Sequence, residues 1–360
     1  MRNRNVRGYT GYTGTGYRGR RSNGKRWLIL VLVLILLAAT AFLVVQRYMV
    51  YDMDGSYHFE FPWFRRAGDG QQVTHRGTRQ DLEIIIQRPD EPAEAQPMRA
   101  RELNAPALAG GMSRALAELP EEINAVAIRL KTADGDLLYP STLPEAIEAK
   151  AVAGSSIAES SLRELTASDR YTVALLAALH DSRFSFAHMT EAAIEQKAYK
   201  NYIWYAPDSS FYLAPEKELA RQYLVSIARE VAALGFDELL FDEFGYPAVG
   251  RLSNIKTEGR EMPQEDALAL LADNLREALR DTDTRLSLMM DEATVLSGAN
   301  EKTGQSLAAL APRFDRIYVP TTEENIPALL SALEPYGAAL VPILDAALAE
   351  GPYLLSDISE

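Results

Sequence analysis

Asp242, Asp291 and Asp345 stand where side chains could carry a reaction. Asp242 closes the apolar run Glu238–Asp242, Asp291 closes Arg285–Asp291, and Asp345 follows Ala338–Leu344. A carboxyl group can donate a proton, accept one, or attack an electron-poor carbon, and a second carboxyl nearby supplies the complementary role. Glu243 and Glu292 adjoin these positions and are further partners, although Glu243 has the opposite side-chain parity to Asp242. Arg129 and Lys131 alternate in an apolar run and could hold a ligand. Either cation could instead pair with Asp242 and make it structural. His180 sits at the end of another run beside Asp181, as a proton shuttle or as a hydrogen-bonded structural residue. With no cysteine, no His-x-His and no His-Glu-x-x-His, a metal site is not expected. The chain has no Gly-x-Gly-x-x-Gly after a strand, no phosphate loop and no Gly-x-Ser-x-Gly elbow, so no cofactor is expected either.

The elements that must position these residues alternate. Asn124–Lys131, Tyr171–Leu179, Glu238–Asp242, Arg285–Asp291, Arg316–Pro320 and Ala338–Leu344 read as strands. Helical stretches lie between them. In Glu216–Leu234, Leu219, Tyr223, Ile227, Val231 and Leu234 recur at helical spacing, and Ala267–Arg280 and Asn325–Leu333 are similar. Such alternation implies a parallel sheet covered by helices. With Ala105–Gly111 as a first strand and Pro352–Ser356 as an eighth, the count fits an α/β fold of the (β/α)8 TIM-barrel type. A doubly wound open sheet is the alternative. Parity then sends Val126, Ile128 and Leu130 toward the helices, and Ala125, Ala127, Arg129 and Lys131 inward. Glu238, Leu240 and Asp242 point inward on the next long strand, as do Ser287, Met289 and Asp291. In a barrel these aspartates share the C-terminal rim, where such folds carry chemistry.

Charge and hydropathy are unevenly distributed along the chain. Its 360 residues carry a net charge of −13. Residues 1–26 hold eight Lys and Arg and no acid, which leaves 29 basic and 50 acidic residues beyond them. That acidic body argues against nucleic-acid binding. Between the two parts lies Trp27–Val45, 19 uncharged residues that are almost all apolar. As a helix this run spans roughly 28 Å, the thickness of a bilayer core. It is too long, and too poorly followed by a cleavage site, for a signal peptide. The basic flank puts residues 1–26 in the cytoplasm and the body outside, as a single-pass cell-membrane protein with an uncleaved signal anchor. The Gly/Tyr/Arg-rich tail is a disordered topology signal or a contact for RNA or anionic lipid. Residues 46–100 read as a stalk, with short strands at Tyr57–Phe64 and Leu82–Ile86 and a Pro/acid spacer at residues 89–97. Residues 101–360 form the barrel domain.

The run from Tyr212 to Pro215, the helix after it, and Gly235-Phe236-Asp237-Glu238-Leu239-Leu240-Phe241-Asp242-Glu243-Phe244-Gly245-Tyr246-Pro247 together resemble the glycosyl-hydrolase-like domain family of bacterial envelopes. That family typically reads W-x-D-P, a helix, then G-F-D-E-[IL]-x-F-D-Y-x-R-[FY]-P. Asn124–Gly135 is similar to its N-A-V-V-I-D-x-K-D-x-x-G strand, and Leu175–Asp181 to a third strand. The resemblance covers about residues 105–355. This chain departs from the pattern at Arg129, Leu176, Ala214 and Gly245, where the family carries Asp, Arg, Asp and Arg. Strand Glu238–Asp242 is also loosely similar to the D-G-x-D-x-D-x-E motif of family 18 glycoside hydrolases, but Phe244 occupies the catalytic glutamate position.

The resemblance implies a barrel that acts on glycan or binds it, or a degenerate barrel serving as a protein-interaction module. Glycoside hydrolysis uses two carboxyl groups flanking the bond. The catalytic candidates are Asp242, Asp291 and Glu243. The substrate-contact candidates are Lys131, Arg129, Trp204, Tyr205, Tyr246 and Asp345. Tyr199, Tyr202, Trp204, Tyr205, Phe211 and Tyr212 cluster in one stretch, where they could stack on sugar rings or pack a rim loop.

Overall fold

The computed structural model describes residues 49–51, 57–59, 97–104, 108, 111–154, 156–197, 202–260 and 262–356. The chain divides into units of residues 1–86 and 87–360. In the first, Met49–Tyr51 pairs antiparallel with Tyr57–Phe59. The basic tail 1–26, the apolar run 27–45, the strand candidate Leu82–Ile86 and the Pro/acid spacer up to residue 96 lie outside the described residues. Among the described residues no helix is long and apolar enough to cross a membrane.

The second unit is a closed barrel of parallel strands. These are β1 (Arg99–Glu102), β2 (Ala125–Lys131), β3 (Tyr171–Ala177), β4 (Glu238–Asp242), β5 (Arg285–Met289), β6 (Arg316–Pro320), β7 (Ala339–Leu344) and β8 (Tyr353–Leu355). Each pairs with the next in sequence, and β8 closes on β1. The expected first strand was misplaced. Leu108 is helical and β1 lies at Arg99–Glu102, across the boundary between the stretch read as stalk and the barrel domain. Its Arg-Ala-Arg-Glu sequence hides it, because only Ala100 faces the barrel core and its flanking residues are charged.

Helices cover the outside, among them α1 (Met112–Ala117), α2 (Glu159–Thr166), α3 (Ser182–Ala187), α4 (Glu218–Ala233), α5 (Gln264–Leu279), α6 (Glu292–Ser297) and α7 (Ile326–Leu333). In α4 the buried face is Ala220, Tyr223, Leu224, Ile227, Ala228 and Val231, the three- and four-residue spacing that makes a helix amphipathic. Val126, Ile128, Leu130, Leu239 and Phe241 pack in the layer between strands and helices. Ala125, Ala127, Val173, Leu175, Leu240, Val341 and Ile343 fill the interior. Small alanines on β2 admit the larger side chains opposite them.

Glu238 seals the N-terminal end. It is fully buried, and it accepts hydrogen bonds from Tyr171 Oη at 2.9 Å, Ser287 Oγ at 2.5 Å and Tyr318 Oη at 2.8 Å. The Arg316 guanidinium supplies its counter-charge. Burial, then the Glu238 charge, holds the Tyr318 phenol well above its ordinary pKa, so it stays a donor.

Lys131 does not join the inward row. Between Arg129 and Lys131 the β2–β3 register shifts, so Arg129 stands opposite Leu175 and Lys131 opposite Leu176. Leu175 belongs to the barrel interior and Leu176 to the helix-facing layer. This bulge re-aims the lysine, as bulges do. Lys131 ends fully buried, with Nζ 2.8 Å from Asp181 Oδ2 and donating to Ala177 O at 2.8 Å. Asp181 Oδ1 caps α3 by accepting from Phe184 N at 2.8 Å. At Gly135 (φ +90°) a Cβ would lie 2.1 Å from that same oxygen, so only glycine fits there.

Removing one member of this sealed pair leaves the other charged and unpaired. Asp181→Asn should therefore cost about 3–5 kcal/mol of stability, read by chemical denaturation. Lys131→Met added to Asp181→Asn should recover much of that loss. A single-variant cost below about 1 kcal/mol would contradict the assigned role.

Candidate functional site

The C-terminal mouth of β2, β3 and β4 gathers the charged groups. Asp242 is the last residue of β4 and pairs in register with Ala177 of β3. Arg129, on the inward row of β2, reaches across and donates from Nη2 to Asp242 Oδ2 at 2.7 Å. Side-chain exposure is 31% for Arg129 and 15% for Asp242, so the pair lies at the mouth, partly wetted. Asp242 Oδ1 is buried and accepts no hydrogen bond. Burial works against the charged guanidinium. The charge and hydrogen bond of Asp242, together with the charges of Glu102 and Glu243, outweigh it and raise the Arg129 pKa. Arg129 is thus a fixed cation among three acids.

Glu243 follows directly. Its backbone sits in the left-handed region (φ 50°), where a residue with a Cβ is strained. The ladder nonetheless continues past it, since Ala178 N donates to Asp242 O at 2.9 Å and Leu179 N to Glu243 O at 3.0 Å. The twist leaves the Glu243 carboxylate half exposed and 3.6 Å from His180 Nδ1. His180 stacks on Tyr212, ring centroids 4.3 Å apart and planes 6° from parallel, and its Nε2 is buried without a partner. Burial, with Glu243 and Asp208 behind it, pushes the Tyr212 phenol up to about 12. A cavity of about 590 Å³ opens beside Arg129, with Glu102, Leu103, Ile128, Leu138 and Ile157 among its lining residues.

The remaining residues read from the sequence scatter. Asp291 is exposed at the start of the short helix α6, and Asp345 is exposed in the turn after β7. Both stand on the same barrel rim as Asp242, since Asp242 ends β4 and the other two follow the C-terminal ends of β5 and β7. Glu292 is committed elsewhere, taking the Asn325 amide at 3.0 and 3.2 Å and the Thr321 hydroxyl. Trp204 and Tyr246 are each 2% exposed, which leaves no ring face for a ligand. The Trp204 indole N–H donates to Arg251 O at 3.0 Å, and Tyr246 Oη donates to Glu216 at 2.5 Å beneath the Arg260 guanidinium. Lys131 is sealed against Asp181 and offers no surface either. Tyr205 does, at 58% exposure. Tyr199 lies outside the described residues.

Sequence reasoning missed the Asp181 partner of Lys131 and the Tyr212–His180–Glu243 cluster. A basic residue in an otherwise buried apolar strand signals the first, because a buried cation needs an anion. Nothing local signals the second, which depends on the long β3–α4 connection folding back so that His180 and Tyr212 bridge. Two departures from the family pattern have steric correlates. A Cβ at Gly245 would meet Thr303 Cβ at 3.1 Å, and Ala214 is 1% exposed. A longer polar side chain fits at neither without rearrangement.

Residues 115–320, more than half of the chain, match the family described as "Putative glycosyl hydrolase domain". The chain belongs to that family. No curated protein matches it. Among solved structures it is similar to a hypothetical protein from Ruminiclostridium thermocellum, at 22% identity over 46% of this chain and 83% of that one, with a TM-score of 0.41. It is also similar to the glycoside hydrolase domain of PgaB (BpsB) from Bordetella bronchiseptica, at 14% identity over 69% and 84%, with a TM-score of 0.48. A third similar structure is a GH20 exo-β-N-acetylglucosaminidase from Vibrio harveyi, at 13% identity and a TM-score of 0.46. The match covers 69% of this chain and 41% of that one.

Proposed function

We propose that this protein acts on glycan at the outer face of a cell membrane, with residues 27–45 as its anchor and Asp242 as its central carboxylate. The observation that carries the proposal is the convergence of Asp242, Glu243, Arg129 and His180 on the C-terminal ends of adjacent barrel strands. That face is where barrels of this type place their chemistry, whereas the opposite end is closed by the Glu238 cluster. Family membership supplies the substrate class. In this reading Asp242 faces the glycosidic bond, with Oδ2 held by Arg129 and Oδ1 without a partner. Glu243 is the second carboxyl group, and its neighbour His180 is placed to exchange protons with it. Asp291 and Asp345 line the outer rim as contacts for more distant sugar units.

A second reading, a barrel that holds glycan without cleaving it, draws support from the Arg129–Asp242 ion pair. An Asp242 committed to a guanidinium anchors the mouth, and the positions where the family carries Asp and Arg are here Arg129 and Leu176. The membrane placement rests on the eight-to-zero charge bias before Trp27.

Asp242→Asn separates the two readings, because it keeps the side-chain shape and removes the ionisable group. Cleavage of a panel of cell-wall and storage glycans should fall by about 10² or more, with binding retained. If the unmodified protein binds glycan but cleaves none of the panel, and Asp242→Asn melts early, the hydrolytic reading is overturned in favour of the second.

A further inference from the structure

Most polar side chains of the loops above β3 and β4 are committed to one another. Lys217 and Lys256 share Glu195, Arg260 holds Glu216, and Asp208 accepts from the backbone and hydroxyl of Ser210. One recess departs from this pattern. It measures about 280 Å³ and lies between the two loops, lined by Gln196, Trp204, Tyr205, Gly250, Arg251 and Asn254 among others. That volume falls just below the roughly 300–1,000 Å³ usual for small-molecule sites, room for one ring rather than a chain.

We propose that this recess is a subsite for a single pyranose unit of a glycan, separate from Asp242 and reached from the same barrel face. The proposal rests on the glycan reading above. The Tyr205 ring is exposed and forms one wall. A pyranose presents an apolar C–H face that stacks on such a ring while its hydroxyls point outward. Gln196, Asn254 and Arg251 line the recess with Tyr205, and none of the three side chains makes a hydrogen bond or ion pair within the described residues. Carboxamides both donate and accept, which suits hydroxyl groups that do the same. An apolar wall with a few convergent, uncommitted polar groups is the usual composition of a small-ligand site.

The recess is rigidly built. Trp204 forms its back and is fixed by the indole bond to Arg251 O. At Gly250 (φ +99°) a Cβ would meet Pro207 Cδ at 3.0 Å and the Trp204 ring at 3.3 Å, so glycine allows the β4 loop to close against the β3 loop. The turn after Tyr205 is pinned by Ala206 N to Ser210 O at 2.9 Å and by Asp208, with Ser209 held in the left-handed region (φ 72°). A pre-set site of this kind loses little entropy when it binds.

The test is calorimetric titration of the full chain in detergent with tetrasaccharides of glucose, mannose, galactose and N-acetylglucosamine. At least one should bind. Tyr205→Ala and Gln196→Ala should each weaken that binding by roughly tenfold or more, and Tyr205→Phe, which keeps the stacking face, should not. Melting temperatures should be unchanged, because Tyr205 is exposed. If a tetrasaccharide binds and Tyr205→Ala leaves that binding undiminished, the subsite is overturned and the glycan reading stands. If none of the four binds, both fall.

Discussion

A lysine and an aspartate with no access to water organise the upper half of this barrel. Lys131 and Asp181 meet at 2.8 Å, both with side chains fully buried. Desolvating two such charges costs several kcal/mol each, so the pair persists only if surrounding bonds fix its geometry. Ala177 O accepts a hydrogen bond from Lys131 Nζ, and Asp181 holds the first turn of α3. Gly135 lets the turn after β2 come within reach of Asp181, and Asp134 O accepts from Ser182 N and Arg183 N, both at 3.1 Å. The pair thereby stitches β2, β3, the β2 turn and α3 into one unit.

The consequence for the mouth is electrostatic. Once the bulge has taken Lys131 out of the inward row, Arg129 is the inward cation left at the end of β2. It turns to Asp242, with Glu102 and Glu243 adding to the negative field around it. Arg129 stands where the resemblance leads one to expect an aspartate, so a base contacts the Asp242 carboxylate there. The floor of the barrel repeats the pattern with different partners, since Glu238 is neutralised by Arg316 and enclosed by hydroxyl donors. The floor acid is sealed and fully bonded, while the mouth acid is partly wetted and has an oxygen to spare.

Much of this was legible in the sequence where one side chain's parity decides its fate. Ala125, Ala127, Glu238, Leu240 and Ser287 face inward as alternation requires, and β4 and β6 begin and end where the apolar pattern does. The scheme failed at Lys131, because a bulge shifts register without any residue type announcing it. It failed again at β1, where a four-residue strand with a single core-facing alanine carries no periodic signal. Trp204 and Tyr246 were read as ligand contacts from their aromatic type. Their burial is set by loops folding over them, a tertiary effect that composition does not encode.

The central claim is that glycan occupies the barrel mouth above Asp242. The most direct measurement is a crystal structure of the protein soaked with an oligosaccharide that it binds. The account predicts density for a sugar unit over the ends of β2, β3 and β4, with a hydroxyl or glycosidic oxygen within hydrogen-bond distance of the Asp242 carboxylate. Sugar density confined to another face of the barrel, with the Arg129–Asp242 pair undisturbed and its mouth empty, would contradict it.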